Sequence, residues 1–215
     1  TAGGELDLVA AVEKKRGTRE PCVVVFVGSF RAWHGAMEFA EAGVRLMAGQ
    51  ENLYCLLVGK GPQRPAVEAR CRESGSIERF RFAGSVPYRE VPLYLALAEV
   101  GVAPFQPSAH PALRAAGFFW SPLKLFEYMA MGLPVVTTDV SPLNQVIRPG
   151  QEGLLVGEGE VEGLTRAIAA LLDGPEEARA MGRRARERVV AEYSWARHCE
   201  RLERVMVELG AETAG

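Results

Sequence analysis

Cys22-Val-Val-Val-Phe-Val-Gly28 is an unbroken apolar run that ends in glycine. It is too short for a helix and rich in β-branched residues, the pattern of a strand buried on both faces. A helical pattern follows, with Met37, Phe39, Ala40, Val44, Leu46 and Met47 on its apolar side. Leu53-Tyr-Cys-Leu-Leu-Val-Gly59 repeats the strand pattern, and a helix is expected around Pro65 to Glu73. The alternation continues with a strand at Phe80 to Ala83, a helix at Val91 to Ala98, a strand at Val100 to Pro104 and a helix at Pro122 to Met131. Val135 to Thr138 and Gly153 to Val156 read as the last strands. About six strands alternating with helices imply an α/β fold: a doubly wound parallel sheet with helices on both faces.

Three segments are expected. Residues 1–20 read as an extension or linker, with a short helix or remnant at Leu6 to Val12. Residues 21–193 form the α/β domain, and residues 194–215 a C-terminal helix. From Val161 the pattern stays helical to the end, through the stripe Leu164, Ile168, Leu171 and Leu172 and the charged helices Glu176 to Tyr193 and Trp195 to Leu209. The mixed charges of those helices read as solvated faces with i,i+4 pairs. Gln106 to Trp120 is the one long stretch without periodicity, and a loop after a strand is a usual place for function.

The 215 residues carry 25 Lys and Arg against 27 Asp and Glu, a net charge of −2. That near-balance argues against a nucleic-acid binder. No apolar run is long enough for a transmembrane segment, though peripheral membrane contact is compatible with the sequence. The chain begins at Thr1 with no signal-peptide pattern, so a piece of a larger protein is expected. Cys22, Cys55, Cys71 and Cys199 form no C-x-x-C pair, and free cysteines in a cytoplasmic protein are expected.

Open parallel sheets bind ligands at the C-terminal ends of their strands. The first strand ends Gly28-Ser-Phe-Arg-Ala-Trp-His-Gly35 and the second Gly59-Lys-Gly-Pro62. Glycines there let backbone approach a phosphate, or simply make a β-to-α turn. A third glycine of the dinucleotide fingerprint is missing after Gly61, which speaks against a dehydrogenase. The stronger signal is Ser121-Pro-Leu-Lys-Leu-Phe-Glu-Tyr-Met-Ala-Met-Gly-Leu-Pro-Val-Val136. Ser121 is expected to cap a helix that starts at Pro122 and stops at Gly132. Lys124 in the first turn opposes the helix dipole and makes sense beside an anion. Two readings stand. Lys124 and Glu127 form an ion pair that anchors an otherwise apolar helix, or Lys124 meets a diphosphate while Glu127 accepts from ribose hydroxyls.

These blocks, in this order, resemble the C-terminal donor-binding domain of family 4 glycosyltransferases with the GT-B fold. The resemblance covers roughly residues 21–193 and rests on Gly28…His34-Gly35, Leu57-Val-Gly-Lys-Gly-Pro62, Phe82-Ala-Gly84, the Ser121 to Val136 block and Glu152-Gly-Leu-Leu-Val156. It implies one Rossmann-like half of a GT-B fold and a UDP- or GDP-type sugar donor. It also implies retention at the anomeric carbon and an N-terminal acceptor-binding domain as partner. The implied donor-binding residues are Gly28, Ser29, Gly59, Gly61, Gly84, Val86, Phe119, Ser121, Leu123 and Glu127, with the base near Gly84-Ser-Val-Pro87. Glu127 matches the second Glu of the family's E-x7-E pattern, whereas Phe119 stands where the first belongs. Ser29 and His34 stand where the family places Arg and Lys. Lys124 is therefore expected to restore the lost charge from the opposite loop, with His34 a titratable phosphate contact; these two carry the catalytic role. The alternative is a non-catalytic module derived from such an enzyme.

Only three Asp occur (Asp7, Asp139 and Asp173), and no D-x-D motif exists. No metal and no cofactor are expected, with protein cations neutralising the leaving diphosphate. His110 is expected at the surface or facing the acceptor, and His198 in a structural role. Trp33 and Trp120 flank the phosphate loops, expected to pack beneath them or to stack on a ligand.

Overall fold

The computed structural model describes residues 21–213, with side chains through residue 209. The expected N-terminal extension and its helix at Leu6 to Val12 lie outside the described residues. Six strands form one sheet: β1 (Cys22–Val27), β2 (Leu53–Val58), β3 (Phe80–Gly84), β4 (Val100–Ala103), β5 (Val135–Thr138) and β6 (Gly153–Val156). Their order is β3-β2-β1-β4-β5-β6, and every pairing is parallel. The strand order reverses between β1 and β4, which makes the C-terminal ends of those two strands the switch point.

Alternation within β1 explains its unbroken apolar sequence. Val24 and Phe26 enter one core with helix α1 (Ala36–Met47), α2 (Arg64–Glu73) and α7 (Val161–Asp173). Val23 and Val25 enter the other, with α3 (Val91–Leu95), α5 (Leu123–Ala130), α6 (Leu143–Val146) and the far half of α8 (Pro175–Glu192). Each face of the strand thus buries side chains worth roughly 1.5–3 kcal/mol apiece, and a polar residue on either face would forfeit that. The last helix, α9 (Trp195–Thr213), leaves Trp195, Met206 and Val207 largely exposed.

Three local expectations are corrected. The segment Gln106 to Trp120 is not aperiodic: it holds a 3-10 turn, Pro107–Ala109, and helix α4, Pro111–Ala116. Pro111 sits in the first turn, where a missing N–H costs nothing, and the helix stops at Gly117 with φ +75°. The helix expected to reach Ala98 ends at Leu95, and α6 is one turn that the apolar pattern is too short to mark. Ser121 does not cap α5. Pro122 is the N-cap residue, no side chain caps the helix, and the Ser121 carbonyl accepts the Leu123 N–H. The expected stop at Gly132 forms: Gly132 N–H donates to Met129 O and Leu133 N–H to Tyr128 O, closing the helix with a left-handed glycine.

All four cysteines are free. Among the described residues, no group of His, Cys, Asp and Glu could hold a metal ion, and no helix is long and apolar enough to cross a membrane.

Candidate functional site

Three loops converge at the switch point, laced by backbone. Gly28 N–H donates to Val58 O, Phe30 N–H to Lys60 O, Gln63 N–H to Phe30 O and Gly59 N–H to Gly84 O. The glycines after β1 and β2 are required by this lacing. A Cβ on Gly59 would lie 1.9 Å from Gly28 O, and one on Gly61 2.6 Å from Phe30 N. What Gly59 and Gly61 admit is therefore the neighbouring β1 loop. Gly84, with φ +76°, ends β3 beside them, and the half-buried Val86 packs against the second core.

Lys124 enters this junction from the first turn of α5. It is only 7% exposed. Its Nζ lies 4.5 Å from the Phe26 ring centroid, 4.7 Å from that of Phe105 and 3.3 Å from His34 Nδ1. A Cβ on Gly28 would meet that Nζ at 2.6 Å, so Gly28, His34 and Lys124 form one contact cluster. Two aromatic faces attract the ammonium, yet they do not replace water. Burial pushes the Lys124 pKa down to about 7, with the Glu127 charge acting in the other direction.

His34 is lowered further, to about 3, by burial first and then by the charges of Lys124 and Arg31. It is therefore neutral at ordinary pH. A protonated Lys124 can only donate, so His34 accepts on Nδ1 and keeps its proton on Nε2. This corrects the expectation that His34 is the titrating cation: Lys124 is the group poised near neutrality.

The anchoring ion pair is also corrected. Among the described residues no ion pair joins Lys124 to Glu127. Glu127 is instead held by the Tyr88 hydroxyl. Its pKa is raised by burial, against the Tyr88 hydrogen bond and the Lys124 charge. Lys124 thus points into the switch point, and Glu127 toward the loop after β3, where Tyr88 stands 77% exposed.

Phe119, Trp120, Ser121 and Leu123 line the approach to α5 as exposed residues. Trp120 packs 5.7 Å from Trp33, and His110 wedges against both at 4.4 and 4.8 Å. His110 is thus not a surface histidine, because the two indoles enclose it. Ser29 sits half-buried in the β1 loop beside Gly28.

Sequence reasoning missed Tyr128, Tyr88, Phe26 and Phe105. The Tyr128 hydroxyl accepts the Val27 N–H at 2.8 Å and donates to Val102 O, bridging β1 and β4 just before Gly28. A tyrosine in an otherwise apolar helix was the available signal, since a buried phenol needs a partner.

An open parallel sheet in this order, with glycine loops and a buried cation at its switch point, defines a Rossmann-like domain of the kind that makes up half of a GT-B glycosyltransferase. The chain belongs to the family of glycosyl transferases group 1, whose model matches residues 21–174. It is 26% identical over 201 residues to the alpha-D-kanosaminyltransferase of Streptomyces kanamyceticus, covering 94% of this chain and 49% of that protein. Sucrose-phosphate synthase from Thermosynechococcus elongatus is similar in structure, with a TM-score of 0.75 and 27% identity over 95% of this chain and 49% of that one. Anabaena HepE, solved in complex with UDP-glucose, has a TM-score of 0.76 at 15% identity, covering 97% of this chain and 54% of that one; this likeness is one of fold. The chain spans about half the length of the curated relatives it matches.

Proposed function

We propose that this chain is the nucleotide-sugar donor-binding half of a glycosyltransferase that moves a hexosyl group from a UDP- or GDP-type donor. The carrying observation is Lys124 Nζ lodged between Gly28 and His34 at the switch point. A cation buried among rings with no carboxylate partner is costly alone and becomes favourable once a diphosphate arrives. In this reading Lys124 and the Nε2–H of His34 meet the diphosphate, with Ser29 and the Gly28 loop around it. Glu127, aimed by Tyr88, accepts from ribose hydroxyls. Gly84 and Val86 border the base, and Gly59 and Gly61 hold the β1 loop in place for it. Ser121, Leu123 and Phe119 edge the donor site.

As the glycosidic bond breaks, negative charge grows on the leaving diphosphate. Lys124 stabilises that charge in a low-dielectric setting without needing a metal ion. The acceptor is bound by an N-terminal domain outside this chain, and the reaction retains anomeric configuration. A cytoplasmic location is proposed with this reading. The names of the relatives, a kanosaminyltransferase and a sucrose-phosphate synthase, support sugar transfer as the reaction class.

The test is calorimetric titration with UDP and GDP against uridine and guanosine, with and without EDTA. One diphosphate should bind at least ten-fold tighter than its nucleoside, unaffected by EDTA, and Lys124→Met should erase that gain. Equal binding of diphosphate and nucleoside by the wild type overturns the donor-site reading. The 215-residue chain should melt cooperatively yet transfer no sugar without the acceptor-binding half; turnover by the chain alone would contradict that division of labour.

A further inference from the structure

Helix α9 is 19 residues long, and every described side chain from Trp195 to Leu209 is exposed. Half of the exposed large apolar side chains among the described residues lie on it. Most helical stability comes from burying an amphipathic face, and α9 has one to bury. Trp195, His198, Leu202, Val205, Met206 and Leu209 recur at helical spacing. They fall within an arc of about 100° on the helix. In the middle of that stripe Leu202 and Val205 are 50% exposed and Met206 71%. At its N-terminal end the stripe runs into a groove of about 790 Å³ between α5, α8 and α9, walled by Leu123, Phe126, Val189, Val190, Tyr193 and Trp195.

The charges beside the stripe select its occupant. Arg197, Arg201 and Arg204 balance Glu200, Glu203 and Glu208, so α9 lacks the basic polar face that seats a helix on an acidic membrane. The arrangement is instead self-complementary. His198, Leu202, Val205 and Leu209 follow the four-three-four spacing of a coiled-coil seam. Two such helices can lie antiparallel with Leu202 facing the partner's Val205. Two-fold symmetry then repeats that layer and sets His198 against the partner's Leu209. The same register brings Arg201, on one edge of the seam, opposite the partner's Glu208, and Glu208 opposite the partner's Arg201. Arg201 is steadied on that edge by its Nη1, which donates to Glu192 O at 2.8 Å. On the other edge Cys199 meets the partner's Met206. Opposite charges thus meet twice across the seam. A parallel pair would set Arg201 beside the partner's Met206 and form neither ion pair.

We propose that α9 is a dimerisation helix whose partner is α9 of a second copy of this chain, in antiparallel register. The inference does not rest on the donor-site reading.

The experiment is sedimentation equilibrium on the full 215-residue chain under reducing conditions. The wild type should associate reversibly to a dimer. Leu202→Glu puts a charge at the centre of the seam and should raise the dissociation constant about a hundred-fold. Arg201→Glu and Glu208→Arg should each raise it about ten-fold, and the double variant should restore the wild-type value. Met206→Cys, once oxidised, should yield a disulfide between Cys199 of one chain and the introduced thiol of the other, identified by peptide mapping. No α9 residue belongs to either core, so each variant should keep the cooperative melt of the wild type, which separates lost association from lost folding. A monomeric wild type overturns the proposal and assigns the stripe to a different occupant, such as the half of the protein outside this chain. A dimer that survives Leu202→Glu overturns it as well. A double variant that stays as weak as the single ones, with no cross-link at Cys199, overturns the antiparallel register.

Discussion

Lys124 Nζ and His34 Nδ1 stand 3.3 Å apart and share a single proton-donating role between them. With Lys124 near 7 and His34 near 3, the pair carries at most one charge at neutral pH. A bound diphosphate favours charged Lys124 and raises its pKa in the complex. By linkage, affinity should rise as pH falls toward about 7, then level off once Lys124 is charged in the free protein. The ligand's terminal phosphate titrates nearby, so the measurement is the difference between wild type and Lys124→Met, titrated by calorimetry from pH 6 to 9. A difference that does not vary with pH would remove Lys124 as the titrating group.

The same lysine should weaken the unliganded fold. Its ordinary pKa is 10.5 and its folded value about 7. Between those values the unfolded chain binds a proton that the folded chain has released, so stability rises with pH across that window. Below about 7 both states are protonated and the penalty is constant. Lys124→Met should therefore melt higher than wild type at pH 7, by about 2–4 °C per kcal/mol gained, with the gap closing toward pH 10. Thermal melts of the two proteins across that range check this.

Glu127 and Tyr88 should govern recognition of the ribose. Glu127→Ala should reduce the preference for UDP over its 2′-deoxy analogue by the value of a charged hydrogen bond, about 1.5–3 kcal/mol. Tyr88→Phe frees the carboxylate without removing it, so a smaller loss in the same direction is expected. Equal loss against both nucleotides would assign Glu127 to helix packing.

β1, β2 and β4 were legible because a strand buried on both faces is apolar throughout, whereas β3 carries Arg81 and β5 Thr137 and Thr138, and these two were read from their place in the alternation. The site was legible where a residue type was out of place, as with Lys124 in an apolar helix. Its partner was not. Side-chain direction at residues 124 and 127 depends on the loops meeting α5, and spacing alone suits an ion pair and a split arrangement equally. His110 was misjudged for a related reason. Trp33 and Trp120 lie 87 residues apart in the chain and share no local periodicity, so their enclosure of His110 emerges only when the loops converge. The helix Pro111–Ala116 was hidden because it lacks an apolar stripe, burying only Leu113.

Glu152 should be the acid-sensitive point of the fold. Its side chain is fully buried and accepts from the Arg148 N–H, with the guanidinium groups of Arg148 and Arg188 against it. Burial alone would raise its pKa, but the Arg148 hydrogen bonds and both arginine charges outweigh that and lower it. This stability is present above the ordinary carboxylate pKa and is lost as pH falls through the lower folded value. Arg188 also donates to Val146 O at 2.8 Å, so the network ties α8 to α6. Glu152→Ala should cost about 1–3 kcal/mol by leaving the Arg148 N–H without its acceptor and taking one of two carboxylates from Arg188, which keeps Glu192, read by urea denaturation at pH 7. At a pH low enough to protonate the wild-type residue, the cost should shrink.

Tyr128 links the core to the site. Pairing between β1 and β4 covers Val24 with Val100 and Val25 with Gly101, and beyond that the strands part. The Tyr128 hydroxyl fills the gap by joining Val27 N–H to Val102 O. Its ring is seated over Gly101, where a Cβ would approach the ring at 2.5 Å. Tyr128→Phe keeps the ring and removes the bridge, leaving a buried donor and a buried acceptor unpaired. The expected loss is about 1–3 kcal/mol in chemical denaturation. Val27 immediately precedes Gly28, so the loosened strand end should also blunt the contact between the β1 loop and Lys124. Affinity for the nucleoside diphosphate should then fall more than affinity for the nucleoside. Hydrogen exchange separates this from general destabilisation: the Val27 amide should exchange much faster in Tyr128→Phe, while amides in the middle of β2 slow or quicken only with global stability. Unchanged protection at Val27 would mean that the hydroxyl does not hold the switch point together.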